Sequence, residues 1–123
     1  MPDAPAALTL YGIPNCDTVR RARRRLDELG IGHRFHDFRR DGLPPALLDG
    51  WLAALGHAAL LNTRGTSWRA LPEAERRDVD APRARALMLA QPALIRRPVL
   101  VRADGALRVG WDETALAPWL AGG

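Results

Sequence analysis

The sequence predicts an α/β fold: a mixed sheet laid down as β-α-β early and β-β-α late, with an all-helical insertion between. Three observations carry this. A short apolar run, "ALTLY" (residues 7–11), breaks at Gly12 and Pro14 and gives way to helical periodicity. The middle of the chain repeats apolar residues at helical spacing. Strand signals then return in "RPVLV" (97–101) and "LRVGW" (107–111), separated by the turn "ADGA".

Each element has a local reason. After Asn15, the apolar Val19, Ala22, Leu26 and Leu29 recur at spacings of three and four, and Gly30 sits where a left-handed C-terminal cap belongs. Arg20, Arg21, Arg24, Arg25 and Glu28 fall on the opposite face. "HRFHDF" (33–38) alternates apolar and polar residues as a second strand. Strand, helix and strand within about 30 residues form a βαβ unit, whose strands run parallel. Leu47, Leu48, Trp51, Leu52 and Leu55 make a helix stopped by Gly56. "APRARALMLAQP" (81–92) is another, with Asp80 as its cap, Pro82 in its first turn and Pro92 beyond its end. Residues 60–77 form a loop with a short helix. A last helix follows from Asp112, and Pro118 predicts that it starts late or is broken. The expected organisation is a single domain over 1–123 with a helical insertion at about 43–93.

Composition narrows the class. A chain of 123 residues with 47% hydrophobic content can bury a real core. No apolar run approaches the roughly 20 residues that span a bilayer, and the N-terminus lacks the basic and apolar regions of a secretory signal. A soluble, cytoplasmic protein with no membrane partner is the expectation. The net charge is +4, and all 18 basic residues are Arg. Complete replacement of Lys alongside abundant Ala and Leu is the mark of GC-rich coding, so Arg density is a poor nucleic-acid signal. "RRARRR" (20–25) is read as a solvated helix face, and no direct nucleic-acid binding is expected.

The single cysteine, Cys16, excludes an internal disulfide and a cysteine-rich zinc site. Strand then turn puts it at the first turn of a helix, where unpaired N–H groups and the helix dipole favour a thiolate. Asn15 is the expected N-cap, and the Thr18 hydroxyl is placed to donate to sulfur. A lone cysteine is more often a small buried hydrophobe, but this turn is polar. His33, His36 and Asp37 resemble metal ligands by type, yet residues 33 and 36 of one strand face opposite ways, so no metal is implied. His57 falls in a loop. Trp51, Trp68, Trp111 and Trp119 are read as packing residues. "NTRGTSW" (62–68), with Gly65 among polar residues, suits a binding loop.

Three segments carry a resemblance: "YGIPNCDTVRRARRRLDELGIGHRFHDFRRDGL" (11–43), "ALLNTRGTSWRAL" (59–71) and "PALIRRPVLV" (92–101). Together they resemble the ArsC/Spx family of thioredoxin-like proteins, above all its small proteobacterial, arsenate reductase-like branch of proposed glutathione-dependent thiol reductases. The resemblance implies a thioredoxin-like mixed sheet with an all-helical insertion, in a bacterial, cytoplasmic protein. It implies that Cys16 is the redox cysteine and that the Arg97–Pro98 pair has a cis proline facing it. Arg97 would then meet an oxyanion or a glutathione carboxylate, and backbone groups beside Pro98 a glutathione peptide.

The departures from the family matter as much. Arsenate reductases of this type use three arginines, of which only Arg97 has a clear equivalent. The first falls at Asn62, with Arg64 two residues on as a stand-in. The third falls at or near Gly110, with Arg108 nearby. Arsenate reductase proper is therefore an alternative rather than the main expectation. Spx regulators bind RNA polymerase, and many carry a Cys-x-x-Cys switch; here the positions three from Cys16 are Ile13 and Val19. Polymerase binding is a second alternative.

A lone thiol that forms a mixed disulfide needs an external thiol to resolve it. The resulting expectation is a glutathione-dependent monothiol reductase, monomeric, with glutathione as co-substrate and no bound cofactor. Its substrate is a disulfide or an oxyanion. Cys16 is the nucleophile, Asn15 and Thr18 stabilise the thiolate, and Arg64, Arg97 and Pro98 bind substrate or glutathione.

Overall fold

Strand β1 (Leu8–Gly12) alternates buried and half-buried side chains, as a strand packed on one face must. It belongs to a computed structural model that describes residues 8–121, so Ala7, assigned above to this strand, lies outside the described residues. Strand β1 is followed by α1 (Asp17–Glu28) and β2 (His33–Asp37), and β2 pairs with it in parallel. Five short or medium helices come next: α2 (Phe38–Asp41), α3 (Pro45–Leu55), α4 (His57–Leu60), α5 (Thr66–Arg69) and α6 (Glu73–Arg76). Helix α7 (Ala81–Ala90) and a 3-10 turn (Pro92–Leu94) close the helical stretch. Strands β3 (Val99–Arg102) and β4 (Leu107–Val109) and helix α8 (Glu113–Leu120) end the described chain. The sheet order is β2-β1-β3-β4, with β3 antiparallel to both β1 and β4. The mixed α/β sheet is thus present.

Packing divides the chain into two units: the chain up to Asp41 with the chain from Arg97 onward, and the segment Gly42–Arg96. In the sheet unit, Leu8, Leu10 and Leu100 meet Val19, Ala22 and Leu26 of α1 and Leu116 of α8 in one buried cluster. Helix α1 is built for this: Val19, Ala22 and Leu26 fall at the predicted spacing and are buried, and its arginines lie outside that stripe. Leu29, expected on the same face, is instead the C-cap and exposed. Of those arginines, Arg25 reaches Glu113 of α8 at 3.5 Å, and Arg23 lies over the Phe35 ring at 4.2 Å. Gly30 has φ of 69°, the left-handed conformation expected of it.

In the Gly42–Arg96 unit, Leu48, Trp51, Leu60, Ala84, Met88 and Ile95 are buried. An isolated bridge joins Leu61 to Ile95, and Arg85 pairs with Asp49 at 2.6 Å. Asp80 caps α7 by accepting from the Arg83 N–H at 3.0 Å, and Gly56 ends α3 with φ of 81°. The segment 60–77 holds two short helices, where sequence reading expected one.

Helix α8 corrects another expectation. It starts on time, capped by Asp112, and Pro118 neither delays nor breaks it. A proline removes one intrahelical hydrogen bond. Here only two helical residues follow it, and burial of Leu116 with the Asp112 cap outweighs that loss.

Gly12, the last residue of β1, faces α1 with no room for a side chain. A Cβ there would lie 2.8 Å from Cγ2 of the fully buried Val19. Val19 is β-branched and stiff at χ1, so it cannot swing aside cheaply. Gly12→Ala is therefore expected to destabilise the fold by about 1–3 kcal/mol, the usual cost of overpacking. Urea unfolding measures this, and an unchanged midpoint would refute the close fit.

Candidate active site at Cys16

Two chain segments meet at Cys16. Strand β1 ends at Gly12, and a turn through Pro14 and Asn15 delivers Cys16 to the start of α1. Antiparallel pairing sets Tyr11 opposite Val99, so the residues just before β3, Arg97 and Pro98, lie at the same sheet end. The Arg97–Pro98 peptide is cis.

Cys16 is itself the N-cap of α1. Its backbone is extended (φ −101°, ψ 126°), and its carbonyl accepts the first helical bond, from the Arg20 N–H at 2.9 Å. This corrects the expectation that Asn15 caps the helix: Asn15 lies one residue outside, exposed in the turn. Its position cannot supply the cap because the chain turns helical only at Asp17.

The thiol is half-buried. Burial pushes its pKa up, but the Val19 N–H, the Arg97 guanidinium as hydrogen-bond donor and charge, and the Thr18 N–H outweigh this. The net result is a pKa below the ordinary 9.0. No short, linear cap bond reaches the sulfur. The second and third helical amides, of Thr18 and Val19, nonetheless favour its anion. Thr18 thus acts through its backbone N–H, where the sequence suggested its hydroxyl. Asp17, a carboxylate next to the thiol, is turned to solvent and paired with Arg20, so it does not oppose the thiolate.

Pro98 is fully buried, and its carbonyl accepts the Gly110 N–H at 2.8 Å. Gly110 has φ of 89°, a conformation that side-chain-bearing residues avoid. An arginine in that place would be strained, and Arg108 instead faces Asp112 at 3.9 Å. Asn62 and Arg64 belong to the Gly42–Arg96 unit. The Asn62 carboxamide accepts the Arg64 N–H at 3.0 Å, and a Cβ on Gly65 would lie 2.9 Å from it. Asn62 is thus a turn-building residue, and Arg64 is exposed. The backbone contribution of Val19 was missed from sequence, where it counted only as a core residue.

The histidines have structural partners. Nδ1 of His33 lies 3.0 Å from the Ile31 carbonyl, and the His36 ring packs 4.9 Å from Tyr11. Among the described residues no group of three His, Cys, Asp or Glu side chains is placed to hold a metal.

Comparison with known proteins adds to this geometry. The family model described as the ArsC family matches residues 11–117. An uncharacterized protein of Haemophilus influenzae is 38% identical over 106 residues, covering 86% of this chain and 92% of its own. The solved structure of a YffB protein is similar with a TM-score of 0.85 and 42% identity, over 92% of this chain and 98% of its own. An arsenate reductase (ArsC) related protein from Brucella melitensis gives 0.77 and 43%, over 94% and 96%.

A guanidinium that donates to the sulfur must hold the thiol pKa down, so removing it must raise that pKa. Iodoacetamide alkylation of the single cysteine, followed across pH, is expected to be half-maximal below pH 9.0 in the wild type. In Arg97→Gln the midpoint should move upward, leaving less thiolate and slower alkylation at neutral pH. Coincident profiles would remove Arg97 from the site.

Proposed function

The chain belongs to the ArsC family and has its thioredoxin-like fold, and we propose that it is a glutathione-dependent monothiol reductase of disulfides, with Cys16 as nucleophile. The observation that carries this reading is one half-buried thiol at a helix N-terminus, with an arginine as hydrogen-bond donor to it. A thiolate is the attacking species in thiol–disulfide exchange, and this environment raises its fraction.

In the first step the Cys16 thiolate attacks the glutathione sulfur of a mixed disulfide, RS–SG. The S–S bond breaks, its electron pair leaves with RS⁻, and RS⁻ takes a proton from water. Cys16 is then joined to glutathione. A second glutathione thiolate attacks that glutathione sulfur, Cys16 leaves as the thiolate, and oxidised glutathione departs. Overall RS–SG and GSH become RSH and GSSG, with no change in the protein.

Arg97 serves both stages. While sulfur is anionic, the guanidinium holds its charge. Once the mixed disulfide has neutralised the sulfur, the same planar fork is available to a glutathione carboxylate. Reduction of arsenate is the less favoured use of the site. A multiply charged oxyanion gains about 1.5–3 kcal/mol from each charge-assisted bond, and by the family resemblance the other two arginine positions fall at Asn62 and at or near Gly110.

The test is glutathione-coupled reduction of bis(2-hydroxyethyl) disulfide, linked to NADPH through glutathione reductase. Turnover in the wild type should fall to the uncatalysed background in Cys16→Ser, and by about tenfold or more at neutral pH in Arg97→Gln. Mass spectrometry of wild type treated with oxidised glutathione should show one glutathione bound through Cys16. Background rates from the wild type would sink the reductase reading.

A further inference from the structure

The segment Gly42–Arg96 contains a cavity that the thiol chemistry does not use. Its volume is about 320 Å³, at the lower end of the range for small-ligand sites, about 300–1,000 Å³. Leu61, Trp68 and Val79 give it apolar walls, and His57, Thr63 and Arg76 bring polar groups to the same space. Thr63 and Trp68, the latter on α5, come from the segment 62–68, whose composition pointed to binding. Trp68, read from sequence as a packing residue, is only half-buried and lines this cavity.

Arg76 decides the chemistry. It is the last residue of α6 and half-buried, and its Nε donates to the Leu71 carbonyl at 3.1 Å. That bond fixes the plane of the guanidinium and leaves both terminal nitrogens for other acceptors. Among the described residues Arg76 has no ion pair; the neighbouring carboxylate of Glu73 goes to Arg77 instead. A held, half-desolvated guanidinium without a carboxylate partner gains most from an anion that presents two oxygens in one plane. One cation calls for one negative charge. Beside it, the indole of Trp68 and the side chains of Leu61 and Val79 call for a flat apolar body.

We propose that this cavity binds a small aromatic monocarboxylate, its carboxylate on Arg76 and its ring against Trp68. The site lies wholly within Gly42–Arg96 and does not depend on Cys16.

The test is an NMR titration of the full-length, ¹⁵N-labelled protein with benzoate, with benzyl alcohol and acetate as probes of shape and charge alone. Benzoate should give saturable shifts confined to residues 57–79, including the Trp68 indole N–H. Benzyl alcohol and acetate should each bind at least about tenfold more weakly, and Arg76→Gln should weaken benzoate by at least about tenfold. Cys16→Ser should leave benzoate binding unchanged, which separates this outcome from that of the reductase assay. No saturable benzoate shift, shifts centred elsewhere, or equal affinity for benzoate and benzyl alcohol would overturn the proposal. Arg76→Lys keeps the charge without the fork and covers the case in which Arg76→Gln does not fold. Affinity unchanged in a folded Arg76 variant of either kind would equally overturn it.

Discussion

The antiparallel pairing of β1 with β3 is the constraint from which the site follows. Tyr11 opposite Val99 fixes where the end of one strand meets the start of the other. The residues just past Gly12 and those just before Val99 therefore converge, although they are far apart in sequence. Cys16 arrives from one side and Arg97 from the other. Because strand side chains alternate, a slip of β3 by one residue would turn Leu100 out of the core it shares with Leu10 and carry Arg97 away from the sulfur. The hydrophobic pattern that stabilises the sheet thus also fixes the geometry of the thiol.

Helix α1 adds the second half of that control. The Val19 side chain is wedged against Gly12, and its backbone N–H is one of the groups that favour the Cys16 anion. Packing and electrostatics therefore act through the same residue. Half-burial of the sulfur balances two needs. Full exposure would let water screen the Arg97 charge, whereas full burial would favour the protonated thiol. The pairing of Asp17 with Arg20 keeps a nearby negative charge out of this balance.

Much of this was legible in the sequence because it is local. The β-α-β start, the stop signals at Gly30 and Gly56, the Asp80 cap, a last helix from Asp112 and the position of Cys16 before α1 all follow from short-range rules. The contact between Arg97 and the sulfur does not, because it depends on strand register; family likeness brought the Arg97–Pro98 pair to the cysteine but assigned Arg97 to an oxyanion or a glutathione carboxylate, not to the sulfur. The exact cap was missed by one residue, since Asn15 and Cys16 can both stand before a helix and only backbone angles decide. Pro118 was over-weighted, because its cost depends on how much helix follows it. The cavity beside Trp68 was half-visible: the loop composition flagged Thr63 and Trp68, whereas His57, Arg76 and Val79 join them only through the fold.

The number of cations around the sulfur bears on the kind of reaction the site can run. An oxyanion substrate carries its charge throughout, and each missing arginine is a missing donor. In disulfide exchange the negative charge instead passes from one sulfur to another, and a single guanidinium is enough to hold it on Cys16 at the start and at the end. A lowered pKa makes a thiolate somewhat less nucleophilic but a better leaving group. In the proposed cycle Cys16 attacks once and leaves once, and glutathione is assigned its displacement because the sequence holds no second cysteine to do so. The stabilisation that slows the attack per thiolate therefore speeds the release, which is the step a protein with one cysteine cannot perform for itself.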